Sequence, residues 1–447
     1  MLSKISCPIL SIVFCAGTIL SVAAQKISLL SGDTPKQIEA DPFRELIVAK
    51  TTVPPVIDGK LDDACWQTAA KADRFSLIAD KKKPAKAQTQ AMVTYDERNI
   101  YIGFHCEEPL IGKLKGEVTA HDGPIWAEDC VEVFVDTDND GMNYYHWIVN
   151  SRGTSLDEIG EITRGDGLND VKTEKHDLNW DAGLTCKTFV GKDFWSAEMS
   201  VPLAKIRSGE RNDLWSINFG RERYAEKECS TWAYLVGYFH QPDRFGRMVF
   251  KQETYTATDV QFPTFCYGHN QLKMKLRNED HTSRKVNVRL NGNAVAGEIP
   301  ADGTNTMSLS FDIDRPGAGK LSVVIEDEAS KAVYFGFEKG YFIPQLMTLV
   351  LRNKLLMVGD KALEADIKLG GIADDALDEL TFRVIVEKDQ HILIGKNCPC
   401  LKISNLVLSL DTTGMAKGDY ILSVALLNSR GTVLSSSKNT FEIMESY

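Results

Sequence analysis

Short segments in which apolar and polar residues alternate recur between residues 46 and 250, and this period of two is typical of β-strands with one buried face. Val131, Val133 and Val135 alternate with Glu132 and Phe134. We therefore expect the valines to face a core and Glu132 to lie on the opposite face, beside an aromatic ring. The same alternation occurs in the segments 91–95, 100–106, 144–150, 195–201 and 214–220. Many short strands separated by turn residues predict an antiparallel β-sandwich over residues 43–252.

The last 195 or so residues contain an internal sequence repeat. The pattern of residues 309–312 and 317–325 recurs in residues 408–411 and 418–426. A spacing of about 100 residues is the size of an immunoglobulin-like domain. The sequence thus predicts two immunoglobulin-like sandwiches, 253–343 and 344–447, with a boundary near Pro344, and an all-β protein. All seven tryptophans precede these modules, so a spacer role or a protein partner suits the modules better than sugar stacking.

The first 24 residues differ from the rest of the chain. Lys4 precedes apolar runs, and Val22, Ala23 and Ala24 end the segment with small residues. This pattern predicts a secretory signal peptide, 1–24, and a protein that is periplasmic, extracellular or on the cell surface. Nowhere else does the sequence approach the roughly 18 apolar residues of a spanning helix, so we expect no membrane span. Residues 25–42 are polar, and we expect an irregular leader to the first domain.

Charge and cysteine usage narrow the class further. The formal net charge is −11, and removal of Lys4 with the signal peptide makes it more negative. A surface of this sign repels phosphate backbones, which argues against a nucleic-acid partner. Eight of the ten cysteines lie beyond residue 24, with irregular spacing. That spacing does not define a disulfide framework, and we expect Cys106 and Cys130 to be buried thiols in strands.

Four segments in fixed order carry a family resemblance: 56–66, 95–104, 126–136 and 242–246. Together they resemble carbohydrate-binding module family 9 (a DOMON-like β-sandwich) over residues 46–250. The resemblance implies a β-sandwich that binds the ends of sugar chains. It also implies two aromatic residues that clamp a sugar ring, polar side chains that bind the hydroxyls, and structural calcium.

The resemblance assigns the first clamp position to Trp126 and the sugar-binding carboxylate to Glu132. An aromatic face can stack on the C–H face of a pyranose, while a carboxylate accepts hydrogen bonds from adjacent hydroxyls. Where the family has its second clamp tryptophan, this chain has Phe239 or His240. The alternative is that Trp126 packs on the sandwich edge and that Glu132 is merely solvated.

Other family positions that bind sugar hydroxyls are changed in this chain. An amide and a guanidinium side chain are replaced by His146 and Ile148. His146 can still form hydrogen bonds, whereas Ile148 cannot. Asn150 adds a polar group at the same strand alternation, and its alternative role is within the core strand. The predicted ligand-binding set is Trp126, Glu132, His146, Asn150, Phe239 and His240.

An acidic turn follows the strand that carries Glu132. Asp136, Asp138 and Asp140 alternate as oxygen donors before Gly141, as in the first half of a calcium loop. The twelfth position of an EF-hand would need a bidentate Glu and holds Trp147 instead, so the turn is not an EF-hand. We predict a structural calcium site in a β-hairpin, with a plain acidic turn as the alternative.

These observations favour a secreted, non-catalytic carbohydrate-binding protein. One alternative is an envelope or scaffold protein whose sandwich no longer binds sugar. Another is a glycan-active enzyme using Glu128, Asp129, Glu132 or Asp136, although Glu132 and Asp136 would lie about 13 Å apart along a strand, beyond a glycosidase pair. A third alternative is a haem protein in which Met92 and either His105 or His146 bind the iron, but the sequence contains no haem-attachment motif.

Overall fold

The computed structural model describes residues 27–31, 44–164, 172–207, 211–235, 237–252, 255–400 and 405–445. The predicted signal peptide, 1–24, lies outside these residues. Strands are the main regular structure of the described part and helices are few and short, which confirms the predicted all-β fold class. Its helical pieces are α1 Cys65–Thr68, α2 Leu203–Ile206 and the 3₁₀ turns Ile111–Lys113, Ile125–Ala127, Tyr224–Glu226, Pro242–Arg244 and Ala376–Glu379. Within the described ranges no helix has the length and apolar character needed to cross a membrane.

The strands are numbered in chain order. The first group is β1 Ile27–Ser31, β2 Glu45–Val48, β3 Ala70–Ala72, β4 Ser76–Leu77, β5 Asp80–Pro84, β6 Thr89–Tyr95, β7 Asn99–Glu107, β8 Cys130–Asp136, β9 Asn143–Asn150, β10 Ser155–Arg164, β11 Lys172–Asp177, β12 Thr185–Val190, β13 Phe194–Pro202, β14 Leu214–Arg223, β15 Glu228–Thr231 and β16 Gly246–Phe250. The second is β17 Tyr255–Gln261, β18 Gly268–Asn278, β19 Arg284–Leu290, β20 Asn293–Ile299, β21 Thr304–Ile313, β22 Gly317–Asp327 and β23 Val333–Ile343. The third is β24 Met347–Leu351, β25 Leu355–Met357, β26 Ala362–Leu369, β27 Thr381–Lys388, β28 His391–Pro399, β29 Asn405–Asp411, β30 Gly418–Leu427 and β31 Val433–Met444.

The first domain contains two sheets that share one hydrophobic core. The larger sheet has the order β11-β10-β9-β8-β14-β15-β4-β5, with β16 beside β14 and β2 beside β16, and the smaller has the order β12-β13-β7-β6-β3. Val131, Val133 and Val135 are fully buried in the shared core, as the alternation predicted. Cys106 and Cys130 are buried thiols, also as predicted. The other face of β8 to β11 is therefore available for a site.

A buried carboxylate anchors the start of this domain to the smaller sheet. Glu198 on β13 accepts hydrogen bonds from the backbone N–H groups of Asp58 (2.9 Å) and Gly59 (2.8 Å) and from the indole N–H of Trp66 (2.8 Å). Gly59 has φ +91°, and a Cβ there would lie 2.5 Å from the carbonyl carbon of Thr188. Only glycine fits this turn, which explains the Asp-Gly pair in the sequence.

The second and third groups of strands repeat one topology. The second has sheets β17-β18-β21 and β20-β19-β22-β23, and the third has β24-β26-β29 and β28-β27-β30-β31 in matching positions. The segments that echo each other in sequence are β21 and β29, followed by β22 and β30. The repeat therefore extends to the strand order, and two-sheet sandwiches of this kind are consistent with the predicted immunoglobulin-like modules.

We expected residues 25–42 to form an irregular leader, but residues 27–31 form strand β1. Residues 27–31 pair antiparallel with β29, and Leu29 lies opposite Leu408. This segment therefore adds an edge strand to a sheet of the third group and does not lead directly into the first domain. The pairing joins residues nearly 400 positions apart in sequence, which local periodicity cannot reveal.

Candidate functional site

A cavity of about 530 Å³ opens on the face of the large sheet opposite the core. Strands β8 to β11 form its floor, because their outward-facing residues alternate with the buried core residues. The loop 237–240 and the 3₁₀ turn Ile125–Ala127 form its rim. Its lining residues are Ile78, Trp126, Glu132, His146, Ile148, Leu156, Glu158, His176, Leu178, Glu222, Cys229, Gly237, Tyr238, Phe239 and His240.

Two exposed aromatic side chains lie at this cavity, and they differ from the predicted pair. Trp126 is 52% exposed and Tyr238 is 48% exposed. Phe239 is only 7% exposed and stacks on Phe134 with ring centroids 5.9 Å apart, so its face is occupied by protein. Tyr238, the residue before Phe239, also lines the cavity, and its side chain is open to solvent. The exposed aromatic surface at the rim thus comes from Tyr238, whereas Phe239, which was predicted together with His240, lines the cavity with a largely covered ring.

Two buried acids hold the loop that carries Trp126. Glu128 Oε1 accepts hydrogen bonds from the backbone N–H groups of Glu117 (2.7 Å) and Val118 (3.1 Å). Asp129 accepts them from Lys115 N (2.8 Å) and Tyr224 N (3.1 Å). Because their oxygens bind backbone amides, these two residues act as loop anchors and do not provide an acid–base pair to the cavity.

A chain of charged groups crosses the cavity floor. His146 lies between Glu132, 3.0 Å from Nε2 to Oε2, and Glu158, 2.8 Å from Nδ1 to Oε1. Burial acts against the charged imidazole, but the hydrogen bonds to Glu132 and Glu158 outweigh it and raise the pKa of His146. Burial likewise acts against the Glu158 charge, yet the hydrogen bonds and positive charges of His146 and His176 together outweigh it and lower the pKa of Glu158 to about 2. The floor therefore holds the His146 ring between two carboxylates, an arrangement that favours the charged form of the imidazole.

Predicted residue His240 sits at the rim in a second polar group. Its Nδ1 lies 2.6 Å from the hydroxyl oxygen of Tyr144 and 3.0 Å from Glu174 Oε1. Burial, followed by the charge of His146, lowers the pKa of His240 to about 4. His240 is consequently neutral at pH 7, and His176 and Glu174 of β11 lie next to it.

Glu222 and its neighbour Cys229 line another part of the cavity wall. The Cys229 thiol donates a hydrogen bond of 2.8 Å to Glu222 Oε2. Burial raises the pKa of Glu222 to about 7, with a further contribution from the nearby Glu132 charge. This carboxyl group changes its protonation in the neutral range, so the cavity's charge varies with pH there.

Asn150 does not line the cavity, which corrects its predicted role. Its amide nitrogen donates to the carbonyl of Val118 (3.1 Å) and to Glu128 (3.0 Å), and its oxygen accepts from the N–H groups of Arg152 and Thr154. All of its hydrogen-bonding capacity is directed at loop backbone and at Glu128. The side chain closes the β9–β10 turn, whereas its neighbour Ile148 contributes an apolar part of the cavity wall.

The acidic turn after β8 brings its three carboxylates together. One oxygen each from Asp136, Asp138 and Asp140 lies within 4.8 Å of the others. Asp136 is fully buried, and its Oδ1 has no hydrogen-bond partner in the described part of the chain. Burial raises the pKa of Asp136 well above its ordinary value. Lys339 of β23 contributes the neighbouring positive charge, and its Nζ donates 2.6 Å to the carbonyl of Asn139.

Several cavity residues were not predicted from sequence. Tyr238 belongs to a loop with no periodicity, and neither Glu158 nor Glu222 lies in one of the alternating segments named above. The alternation Glu174-Lys175-His176 places two polar side chains on one strand face and was the one signal available.

Comparison with known proteins agrees with the architecture of the first domain. Residues 57–253 match the family described as carbohydrate family 9 binding domain-like. A stretch of 92 residues, 20% of the chain, is 32% identical to endo-1,4-beta-xylanase A of Thermotoga neapolitana, of which the chain spans 8%.

Two similar solved structures are family 9 carbohydrate-binding modules from Caldicellulosiruptor kristjanssonii. The one in complex with cellotriose is 17% identical and covers 46% of this chain and 94% of its own, with a TM-score of 0.34. The one in complex with glucose is 18% identical and covers 49% of this chain and 100% of its own, with a TM-score of 0.33. Residues 57–253, just under half of the chain, are thus similar to the carbohydrate family 9 binding domain-like family.

Proposed function

We propose that this protein is an exported carbohydrate-binding protein without catalytic activity, and that its sugar lies in the cavity between Trp126 and Tyr238. One observation carries the proposal. Two aromatic side chains that are about half exposed border the same cavity, 52% for Trp126 and 48% for Tyr238. Large aromatic groups left open to solvent in a concave site are typical of a binding site for a partly apolar ligand.

The cavity combines the two kinds of contact that a sugar ring requires. Aromatic faces and the apolar wall from Ile148 and Leu156 suit the C–H groups of a pyranose. The carboxylate of Glu132 suits its hydroxyls, because an ionised carboxylate accepts hydrogen bonds through both oxygens. His146 fixes one of these oxygens at 3.0 Å, so Glu132 is oriented before a ligand arrives.

The absence of catalysis is part of the proposal and rests on how the acids are used. Glu128 and Asp129 are bound to backbone amides. Glu132 and Glu158 are bound to His146, at 3.0 Å and 2.8 Å. The matched family is one of carbohydrate-binding domains. These arrangements favour ligand orientation over proton transfer to a glycosidic oxygen.

Calcium is proposed as a structural ion at the acidic turn, and the residues present fit it. Asp136, Asp138 and Asp140 would hold it, because three carboxylates converge and Asp136 Oδ1 is buried without a partner among the described residues. Calcium prefers such oxygen ligands. The ion would neutralise the turn and fix the end of β8, the strand that carries Glu132.

Export and the trailing modules complete the proposal. The pattern of residues 1–24 is that of a signal peptide, and a domain similar to carbohydrate-binding domains suits a protein that meets polysaccharides outside the cell. The two repeated sandwiches would place the sugar site at a distance from a protein partner or assembly. Their aromatic-poor surfaces favour protein docking over a second sugar site.

The test is a binding titration of the full mature chain against glucose, cellotriose and xylo-oligosaccharides, run with calcium and with EDTA. We expect saturable binding of at least one of these sugars, lost in both Trp126→Ala and Tyr238→Ala. Incubations should release no reducing ends. A folded, calcium-loaded protein that binds no glycan in a wider screen would refute the sugar-binding proposal and favour the scaffold alternative, and release of reducing ends would instead identify an enzyme.

A further inference from the structure

A second constellation lies beside the proposed sugar contacts, on the outer edge of the same sheet. Strands β9, β10 and β11 are neighbours, with Glu158 opposite His146 and Gly160 opposite His176. Glu174 and His176 are two residues apart on β11 and so share one face. The rim loop brings His240 over this face, with its ring centroid 5.0 Å from that of His176.

The polar side chains of this group converge on one carboxylate oxygen. Glu174 Oε1 lies 3.0 Å from His240 Nδ1 and 3.1 Å from His176 Nε2. The Tyr144 hydroxyl donates to the same oxygen at 2.8 Å. One ligand atom from each of Glu174, His176 and His240 lies within 4.8 Å of the other two. Atoms bound tetrahedrally to one zinc ion at about 2.0–2.2 Å are separated by roughly 3.3–3.6 Å, so these two pairs of atoms need to move apart by only a few tenths of an ångström to bind one ion.

The hydrogen bonds leave an electron-pair mismatch at the centre. His176 Nδ1 lies 2.8 Å from Glu158 Oε1, and an ionised carboxylate can only accept, so Nδ1 carries the proton. When Nε2 carries no proton, its lone pair points at Glu174 Oε1, which is also an acceptor. Two lone pairs 3.1 Å apart repel unless a proton or a cation lies between or beside them.

This mismatch is the arrangement found around metal-binding histidines. A ligating imidazole usually donates its second N–H to a carboxylate, which fixes the ring and the tautomer. Glu158 has this position relative to His176, and the Tyr144 hydroxyl has it relative to Glu174. Gly160 provides the space, because a Cβ there would lie 2.1 Å from the Tyr144 ring.

We propose that Glu174, His176 and His240 bind a divalent transition metal of the zinc type at the rim of the cavity. Two imidazole nitrogens and one carboxylate select this class over calcium, which prefers oxygen ligands alone. The three side chains are 29%, 31% and 26% exposed, so the metal is reachable and keeps positions open toward the cavity. His176 and His240 also line the cavity, so a water or a ligand oxygen can complete the coordination.

This site differs in chemistry from the acidic turn of Asp136, Asp138 and Asp140. It also does not depend on the sugar-binding proposal, since metal binding is measured without any sugar. A further group of possible ligands, His121, Asp122 and Asp157, lies elsewhere in the first domain. The experiment must therefore distinguish metal binding at these three candidate sites, by substituting residues of each site and by using different metal ions.

The test uses the full mature chain, produced without a histidine tag and freed of metal with EDTA. Zn²⁺ is titrated calorimetrically in the presence of excess Ca²⁺, and Co²⁺ is added to a second sample to record its visible absorption. We expect one equivalent of Zn²⁺ and a Co²⁺ spectrum of low coordination number. His176→Gln and His240→Gln should each weaken Zn²⁺ binding at least tenfold and abolish the Co²⁺ bands.

Two histidine variants serve as controls. His269→Gln removes an exposed histidine that pairs with Asp312 on the second module and should leave the titration unchanged. His121→Gln should also leave it unchanged. Circular dichroism and thermal melts establish that every variant is folded. Absence of Zn²⁺ binding to the folded wild type, or binding that survives in His176→Gln and His240→Gln but is lost in His121→Gln, would overturn the proposal.

Discussion

Replacing Trp126 with alanine is the sharpest test of the proposed sugar site, because the structure sets the size of the effect. The side chain is 52% exposed, and a buried tryptophan contributes about 150–250 Å² of surface. Roughly 100 Å² is thus available to a ligand. At about 25 cal/mol per Å², covering half to all of that surface stabilises the complex by about 1–2.5 kcal/mol. The dissociation constant should rise about five- to seventyfold.

The same exposure predicts that this variant stays folded. About half of the Trp126 side chain is exposed to water in the folded protein, so truncation should change the free energy of unfolding by less than about 1 kcal/mol. Tyr224→Ala provides a matched control, since Tyr224 is a 50% exposed aromatic residue of the same domain that does not line the cavity. Isothermal titration with the best sugar and urea unfolding of both variants measure the two quantities.

Any of three results would refute this reasoning. If Trp126→Ala binds sugar as tightly as the wild type, the exposed indole does not stack on the ligand. If Tyr224→Ala weakens binding as much as Trp126→Ala, the effect is not specific to the cavity. A loss of binding accompanied by a large loss of stability would show that Trp126 supports the fold.

Three further predictions follow from the burial and charge of single residues. Phe239→Ala should destabilise the domain by about 3–5 kcal/mol in urea unfolding, because its 7% exposed ring packs on Phe134; a change below 1 kcal/mol would show that the ring is not part of the packing. Burial raises the pKa of Glu222 to about 7, so the folded state holds this proton while the unfolded state has lost it, and stability should fall as pH rises from about 4.5 to 7. Glu222→Gln should therefore raise the melting temperature at pH 8 and not at pH 4, and an equal shift at both would contradict the assignment. Calcium at 100 times its dissociation constant should stabilise the wild type by about 2.7 kcal/mol, and Asp138→Asn should reduce this gain, as measured by thermal melts with and without EDTA; an undiminished gain would place calcium elsewhere.

Much of the sheet could be predicted because it depends on local alternation. The period of two in β8 separates Val131 and Val133 from Glu132, and the separation holds in the structure. Register extends this to the neighbouring strand, where His146 faces Phe134 as its cross-strand partner. Residues on regular strands were thus assigned to the correct face without knowledge of the partner strands.

The rim of the site could not be predicted in the same way, because it lies in loops and in long-range pairing. Sequence gives no period in the loop 237–240, so the second clamp position was assigned to Phe239 or His240 from the family's spacing, and the exposed Tyr238 was not among the predicted residues. The hydrogen bonds of Asn150 to Val118 depend on where the 115–129 loop returns. The pairing of β1 with β29 likewise has no local signal.

The contacts between the first domain and the next module determine whether sugar and calcium binding should be measured on a fragment or on the full chain. Arg211 donates hydrogen bonds to the carbonyls of Val333 (2.9 Å) and Tyr334 (2.7 Å), and Leu214 of the first domain belongs to the hydrophobic core of the second. Lys339 also comes from the second module and places its charge beside Asp136. A fragment ending near residue 252 would expose apolar surface and remove the cation that balances the acidic turn. Calcium would then bind a more negative site than in the whole protein, so affinity for calcium measured on the fragment should exceed that of the full chain. The intact chain is therefore the proper unit for the binding experiments.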